Sequence, residues 1–255
     1  MRFVLLCDAS QPQKVAPLCR KTGMGVEIQS FSNPEYPRLK PDGVSIHRTQ
    51  YDAITPKALH GPFGDLSPGS CDALIRQVTR DRFEFAYTHA QELGAKHVVL
   101  HHGYIPNTNT YGGWLRRSVE FWKSFLSDKN SEVTFYLENL LEVDAELIVD
   151  VLRTVDHPNL RACLDLGHAF CHGKIPVKKW VEDLGGLIGY VHFHDNLGDQ
   201  DSHLSLGEGR LPLDEICYSL EQVSPEAIWA LEVGPDNLED SLFWLETHGY
   251  SPSGG

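Results

Sequence analysis

The sequence contains no apolar run long enough to cross a bilayer, and its first residues do not show the basic, apolar and small-residue segments of a signal peptide. These absences predict a cytoplasmic protein that does not span or anchor in a membrane. The six cysteines are scattered and include no Cys-x-x-Cys pair. We therefore expect single buried thiols and no disulfide framework.

Basic residues are scarce, with 22 Lys and Arg against 35 Asp and Glu, which gives a formal net charge of −13. This balance argues against a surface that coats nucleic acid. Part of the acidic excess can be local, because carboxylates that bind metal count as uncompensated charge. Low-complexity segments and linkers are also lacking, so the 255 residues predict a single domain over 1–255.

Short β-branched or aromatic runs alternate with helical patterns, which is typical of βαβ units. The predicted strands are Arg2–Cys7, Gly25–Phe31, Lys57–Gly61, His97–His101, Val133–Glu138, Leu160–Asp165, Ile188–His192 and Ile228–Glu232. The predicted helices are Cys71–Leu93, Tyr111–Leu126, Ala145–Val155, Val177–Leu184, Leu213–Val223 and Asn237–Thr247. The Pro-rich stretch Ser32–His47 predicts a long loop or irregular helix, and the tail Ser251–Gly255 is expected to fray.

Eight strands alternating with helices over about 250 residues predict an α/β fold, a single (β/α)₈ barrel. In such barrels the chemistry lies at the carboxyl ends of the strands, and right-handed crossovers bring all those ends to one rim.

Histidine and carboxylate side chains stand at the ends of six predicted strands and in the segments that follow the sixth and the seventh. They are His60, His101, Glu138, Asp165, His168, His192, Asp201, His203 and Glu232. Imidazole and carboxylate groups suit Zn²⁺, Mn²⁺ or Fe²⁺. Nine such groups are too many for one ion and are enough for three, so the pattern predicts a multinuclear metal site at this rim.

Other polar residues near these strand ends have simpler explanations. His102, His172 and His194 are expected to be hydrogen-bonded structural residues, because adjacent positions on a strand face opposite ways. Asp195 and Asn196 are expected to close a turn or to support a ligand.

Two motifs within these segments point to a known family. They are CLDLGHAF, with Asp165 and His168, and DSHLSLGEG, with Asp201, His203 and a Gly-Glu-Gly loop. From about His60 to Glu232 the chain resembles the endonuclease IV (AP endonuclease family 2) branch of the xylose isomerase-like TIM barrels.

The resemblance implies three divalent ions, zinc in that family and sometimes manganese, and phosphodiester hydrolysis by a metal-activated hydroxide. It implies a first ion on His60, His101 and Glu138. Glu138 would bridge to a second ion on Asp165, His192 and Glu232. A third ion would lie on His168, Asp201 and His203.

The second strand, GVEIQSF, is more similar to the sugar isomerases and epimerases of the same superfamily, and the loop after it carries only Arg38 and Lys40 as basic residues. A single-metal sugar or sugar-phosphate isomerase is therefore the alternative, with Glu138 and Glu232 as catalytic acid–base pair. The substrate is expected to be a small phosphate ester or sugar, or, less in keeping with the charge, abasic-site DNA. A non-catalytic metal-binding or partner-binding barrel is the third hypothesis.

Overall fold

The computed structural model describes residues 3–250. The predicted start of the first strand at Arg2 and the tail Ser251–Gly255 lie outside the described residues. The eight strands are β1 Val4–Cys7, β2 Gly25–Ile28, β3 Lys57–His60, β4 His97–His101, β5 Thr134–Glu138, β6 Leu160–Asp165, β7 Ile188–Phe193 and β8 Ile228–Leu231. All eight predicted strands are present, with ends that differ by a few residues.

The strands form a closed parallel barrel in sequence order, in which β8 pairs with β1. The predicted (β/α)₈ barrel is confirmed. The register aligns residues at the carboxyl ends of neighbouring strands: His101 pairs with Glu138, and Asp165 pairs with His192. Pairing of neighbouring strands thus aligns four of the predicted site residues in two pairs.

The helices surround the barrel. They are α1 Pro12–Thr22, α2 Tyr36–Leu39, α3 Gly43–Gln50, α4 Ala73–Leu93, α5 Tyr111–Leu126, α6 Glu146–Val155, α7 Leu166–His172, α8 Val177–Leu184, α9 Leu213–Val223 and α10 Leu238–Thr247. Each of the six predicted helices is present. The stretch expected as a loop or irregular helix contains α2 and the first part of α3.

Helices α1 and α7 were not predicted. Helix α1 begins at Pro12, where a missing N–H costs nothing, but it also carries Pro17 in its interior. Helix α7 has only seven residues and begins directly after Asp165, whose side chain accepts a hydrogen bond from the His168 N–H. A buried turn of this length shows no periodicity, so only the tertiary structure reveals it.

Alternation along the strands produces two cores. The inner core fills the barrel beneath the rim with Leu5, Cys7, Ala58, Val99, Tyr136, Cys163, Tyr190, Ile228 and Ala230. The outer core lies between the strands and the helices and contains Val98 and Leu100. Because Val99 points inward, His101 also points inward and His102 points outward, where its ring packs 4.3 Å from that of Trp114.

The cysteines differ in exposure. Cys7, Cys19, Cys163 and Cys217 are buried, as expected, and Cys171 is half-buried. Cys71 is exposed, so the prediction of a buried thiol is wrong there, because Cys71 precedes the helix that begins at Ala73 and lies on the surface. No helix in residues 3–250 combines the length and the apolar character that a membrane span requires.

Candidate metal centre

The nine predicted site residues come together at the carboxyl rim of the barrel. A cavity of about 360 Å³ opens there, and seven of the nine line it: His60, His101, Glu138, His168, Asp201, His203 and Glu232. Asp165 and His192 are fully buried and contact the cavity residues from below.

Glu138 lies at the centre of the group. One carboxylate oxygen, Oε2, lies 3.1 Å from Nε2 of His60 and 3.2 Å from Nε2 of His101. The other, Oε1, lies 2.9 Å from Nδ1 of His192. Glu138 therefore faces two sets of nitrogen ligands with its two oxygens, which is the arrangement of a carboxylate that can bridge two ions.

A second group shares Glu138. One ligand atom each from Glu138, Asp165, His192 and Glu232 lie within 4.8 Å of one another. Nδ1 of His192 is 3.1 Å from Oε2 of Glu232 and 3.7 Å from Oδ2 of Asp165. Three carboxylates around one imidazole form a ligand set for a divalent ion.

The third group is centred on Asp201, in the loop between β7 and α9. Its Oδ2 lies 3.2 Å from Nε2 of His168 and 3.0 Å from Nε2 of His203. Both rings place Nδ1 beside a backbone carbonyl, at 2.9 Å from Asn139 and 2.7 Å from Glu232. An Nδ1–H that donates to these carbonyls leaves Nε2 of each ring as a free ligand atom facing the cavity.

His194 also belongs to this neighbourhood, although a structural role was expected for it. Its ring stacks on that of His203 at 4.0 Å, and one ligand atom each from His194, Asp201 and His203 lie within 4.8 Å of one another. Its Nε2 is 3.2 Å from both carboxylate oxygens of Asp165. The signal in the sequence is the spacing His-x-His, since residues two apart on a strand share a face.

The electrostatics of the cavity are dominated by carboxylates. No Lys or Arg lines it within the described part of the chain. Burial disfavours a charged imidazole, but the hydrogen bond to Glu138 and its charge raise the pKa of His60 to about 9. Burial opposes protonation of His203 as well, and the Asp201 hydrogen bond raises its pKa to about 9.

Glu232 lies close to the negative charges of two other carboxylates. Burial raises its pKa, and repulsion from Glu138 and Asp165 adds to that rise. Its buried Oε2 makes no hydrogen bond, because the nearby Nδ1 of His192 is hydrogen-bonded to Glu138 instead. The raised pKa values of the histidines mean that protonated histidines compensate the charge of the carboxylates. Divalent ions fit this donor set, because they would supply that positive charge in place of the protons.

Glu27 on β2 is a site residue that the sequence did not single out. It is fully buried, and its Oε2 accepts hydrogen bonds from the Tyr190 hydroxyl at 2.7 Å and from Nε2 of His192 at 2.9 Å. This contact turns Nδ1 of His192 toward Glu138 and Glu232. The available signal was a glutamate within an otherwise apolar strand, GVEI, where a charge requires a partner.

Gln29, just beyond β2, is the other residue that the sequence did not single out. Its side-chain amide donates to Oε1 of Glu232 at 2.7 Å, and its carbonyl oxygen accepts from the Ala9 N–H. Gln29 thereby orients the carboxylate of Glu232 in the wall of the cavity.

Asp195 shapes the loop that carries Asp201 and His203. Its carboxylate accepts backbone N–H groups of Asn196, Gly207, Gly209 and Leu211 at 2.8–3.2 Å. Gly209 lies so close that a Cβ there would be 2.1 Å from Oδ1 of Asp195. The expectation that Asp195 closes a turn agrees with these contacts.

The chain is similar to an uncharacterised protein, to a probable endonuclease and to an epimerase. The uncharacterised protein MJ1311 of Methanocaldococcus jannaschii is 29% identical over 197 residues, covering 72% of this chain and 66% of that protein, just under two thirds. A probable endonuclease 4 of Mycobacterium leprae is 24% identical over 86% of this chain and 88% of its own. Fructoselysine 3-epimerase of Escherichia coli O157:H7 is 25% identical over 57% of this chain and 55% of its own.

Solved structures share the fold at low identity. A D-tagatose 3-epimerase-like protein superposes with a TM-score of 0.76 and 22% identity over 97% of both chains. The TTHB071 protein of Thermus thermophilus, soaked with ZnCl₂, gives 0.74 and 24% identity over 99% of both chains. The family model for xylose isomerase-like TIM barrels matches residues 25–248, most of the barrel described above. The chain therefore belongs to the family of xylose isomerase-like TIM barrels.

Proposed function

We propose that the protein is a metal-dependent hydrolase that acts on a phosphate ester or phosphodiester and holds three divalent ions, with zinc the best match to the ligands. The first ion would lie on His60, His101 and Glu138. The second would share Glu138 and add Asp165, His192 and Glu232. The third would lie on His168, Asp201 and His203, with His194 as an additional donor beside Asp201.

The observation that carries the proposal is the contact of Asp201 with both His168 and His203 at the cavity that Glu138 also lines. A one-metal site on Glu138, Asp165, His192 and Glu232 would have no use for this third group. Asp201 is exposed and His203 is half-buried, so the support comes from geometry: the Asp201 carboxylate faces an Nε2 atom of each of two histidines beside the Glu138 group.

The chemistry expected of such a centre is well understood: two or three divalent ions bound a few ångströms apart clamp a phosphate and lower the pKa of water. The protein's own residues fix the positions. Glu138 presents one oxygen to each of two ligand groups, and backbone carbonyls set the ring orientation of His168 and His203. Gln29 holds Glu232 in the cavity wall.

A small substrate agrees best with the charge distribution. Among residues 3–250, no Lys or Arg lines the cavity to bind a phosphate backbone, and the chain as a whole carries −13. Abasic-site DNA, the substrate suggested by the endonuclease IV resemblance, stays a prediction to be excluded by direct assay.

A sugar or sugar-phosphate isomerase or epimerase is the second candidate. It is favoured by Glu138 and Glu232, which both contact Nδ1 of His192 and would flank a substrate bound there. The similarity to proteins named as epimerases supports it. In this case Glu138 and Glu232 would move the proton next to the substrate carbonyl, and one ion would suffice.

Elemental analysis of protein purified without chelator separates the two functions. Three ions per chain, falling to two in Asp201→Ala with loss of phosphodiesterase activity, supports the hydrolase. Asp199→Ala is the matched control, because Asp199 is an exposed carboxylate of the same loop. One ion per chain, together with unchanged activity in Asp201→Ala and His203→Ala, would refute the trinuclear assignment.

A substrate panel completes the test. Aryl phosphodiesters, an abasic-site duplex and several ketoses are offered to the same preparation at more than one salt concentration. Turnover of ketoses alone would establish the isomerase. Cleavage of the duplex would instead support a function in DNA repair.

A further inference from the structure

A second cleft, of about 500 Å³, opens beside the metal centre between the loops that follow β3, β4 and β5. Its walls are mainly apolar and include Phe63, Leu66, Ile75, Tyr104, Ile105 and Leu141. Volumes of this size are typical of sites for small ligands. None of the nine candidate metal ligands except His101 lines this cleft.

Apolar side chains are unusually exposed in this cleft. Phe63 and Ile75 are each 41% exposed, Ile105 is 54% exposed and Leu141 is 37% exposed. Single exposed apolar residues need no explanation, but four that line one concave surface mark a binding site. Charge is nearly lacking: among the described residues that line the cleft, Asp65 is the one carboxylate and no Lys or Arg is present.

The loops that form the cleft are held in place by polar contacts beneath it. Arg117 donates to the Gly69 carbonyl at 2.8 Å and to the Asn109 side chain at 3.0 Å, which ties the loop after β3 to the loop after β4. Glu142, itself bonded to His102, accepts the Leu140 N–H at 2.7 Å.

Close packing adds to this support. Gly103 has a φ of +71°, and a Cβ there would lie 2.4 Å from the Leu66 carbonyl oxygen. The cleft is thus formed before any ligand arrives, which lowers the entropic cost of binding.

The cleft is continuous with the metal centre. Phe63, His101 and Leu140 line both cavities. The ring of Phe63 stacks on that of His101 at 4.5 Å with an interplanar angle of 18°, and its edge faces His60 at 5.7 Å. A substrate whose reacting group lies at Glu138 would therefore pass its next substituent across Phe63 into the cleft.

We propose that this cleft is a substrate subsite for an apolar ring or aliphatic chain, and that the natural substrate carries such a group beside the one that reacts. The inference rests on the proposed function for the position of the reacting group. It excludes a simple inorganic or methyl ester as the preferred substrate, and it excludes a polyanionic strand as the occupant of this cleft.

The test compares phenylphosphonate with methylphosphonate, which carry the same acidic group and differ in the apolar part. Binding to the metal-loaded protein is measured by isothermal titration calorimetry. We expect phenylphosphonate to bind about 10- to 100-fold more tightly, because the cleft removes most of one ring from water. Equal affinities of the two phosphonates would overturn the proposal.

Variants locate the effect. Ile105→Asn is expected to remove most of the preference for phenylphosphonate without changing the affinity for methylphosphonate. Ile46→Asn is the matched control, since Ile46 is an exposed isoleucine on α3 that does not line the cleft. A preference that persists in the double variant Ile105→Asn, Leu141→Asn would show that the ring binds elsewhere and would refute the subsite.

A third measurement separates failure of the subsite from failure of the phosphate chemistry. 4-Fluorobenzyl alcohol carries the ring without an acidic group, and ¹⁹F NMR reports its binding directly. Broadening by the unsubstituted protein that is lost in Ile105→Asn supports the cleft even if neither phosphonate binds, in which case only the proposed hydrolase fails. No broadening would overturn the cleft as an apolar subsite.

Discussion

At the scale of single residues, Glu138 has the most consequential position in the protein. It contacts His60, His101 and His192 with the two oxygens of one carboxylate. Burial raises its pKa, but the nearby histidines, His101 first, lower the pKa to well below the usual value of a glutamate, so the group is ionised. The ionised carboxylate faces a ring nitrogen of each of the three histidines.

Glu138→Gln is therefore expected to reduce turnover by at least about 100-fold under either proposed function. The amide keeps the volume of the side chain but has one oxygen instead of two and no charge. Metal content and kcat are measured together, and circular dichroism controls for folding. Turnover close to that of the unsubstituted protein would contradict the central role of Glu138.

Glu27 is expected to act on the metal site through His192. Glu27→Ala removes the acceptor of the His192 Nε2 and of the Tyr190 hydroxyl, and should weaken metal binding by about 10- to 100-fold. Glu27→Gln keeps an acceptor oxygen and should lose less. Competition with a chelator measures the affinity.

Tyr190→Phe is the control for Glu27, because it removes the other hydrogen bond to the same oxygen and leaves His192 in place. We expect Tyr190→Phe to change thermal stability more than metal affinity. Equal metal affinities in Glu27→Ala and the unsubstituted protein would show that the contact is purely structural.

His97 provides a pH dependence outside the metal site. Burial lowers the pKa of this imidazole to about 4, against 6.5 for a free ring, so the folded protein keeps it neutral. Below pH 6.5 His97 binds a proton in the unfolded chain, whereas in the folded chain it stays neutral until about pH 4. The free energy of unfolding therefore falls as the pH drops through this window.

His97→Gln should flatten that fall by about 1 kcal/mol between pH 6.5 and 4, less than the ~3 kcal/mol of a fully buried ring because His97 is half-buried. Urea unfolding at several pH values measures the slope. His248→Gln, an exposed histidine, serves as control. Parallel slopes for His97→Gln and the unsubstituted protein would disprove the assignment.

At the scale of elements, the loop between β7 and α9 is the most specialised segment. Its ligands stand on irregular backbone, and His203 has a φ of 47°, in the left-handed region. The carboxylate of Asp195 substitutes for regular secondary structure here by accepting four backbone N–H groups. A loop built in this way is as well defined as a strand end, which a metal site requires.

Asp195→Asn should destabilise the protein by about 2 kcal/mol or more, because an amide NH₂ would face backbone donors. Under the proposed three-ion assignment, it should also release the ion assigned to Asp201 and His203 and leave the other two proposed ions bound. Urea unfolding and metal analysis measure the two effects, with Asp199→Asn as control. Full occupancy of all ions in Asp195→Asn would argue that the loop is held by other contacts.

The sequence pattern predicts most of the strands and helices, and the exceptions have physical reasons. All eight strands were predictable because β-branched and aromatic runs are separated by helical spacing. Helix α1 was not, because two prolines stand in it, and α7 was not, because seven residues are too few to show a helical repeat. Strand alternation together with the family resemblance selected His101 over His102, and the structure places His101 inside the barrel.

At the scale of the whole molecule, the barrel has two hydrophobic cores that do not depend on the rim. The metal-free protein should therefore stay folded. Each ion that binds only the folded state, at a free concentration 100 times its dissociation constant, would add about 2.7 kcal/mol, which for a chain of this size is about 5 to 10 °C in Tm.

Calorimetry with and without chelator, followed by re-addition of zinc, checks this expectation. The rise in Tm should be smaller in Asp201→Ala than in the unsubstituted protein, and identical in Asp199→Ala. A Tm that does not respond to zinc at all would contradict a metal centre at the rim.

The sequence by itself determined the barrel and the residue types at its rim, because strand periodicity and the order of elements are local properties that closure then brings to one end. The roles of Glu27, Gln29 and His194 were decided only by the tertiary structure, although Glu27 and His194 each left a signal in the sequence. Their roles depend on which atom of which side chain lies within about 3 Å, a consequence of shear and register between strands far apart in the chain. The apolar cleft is of the same kind, since three loops, from Phe63 to Leu141, form it only after the barrel has closed.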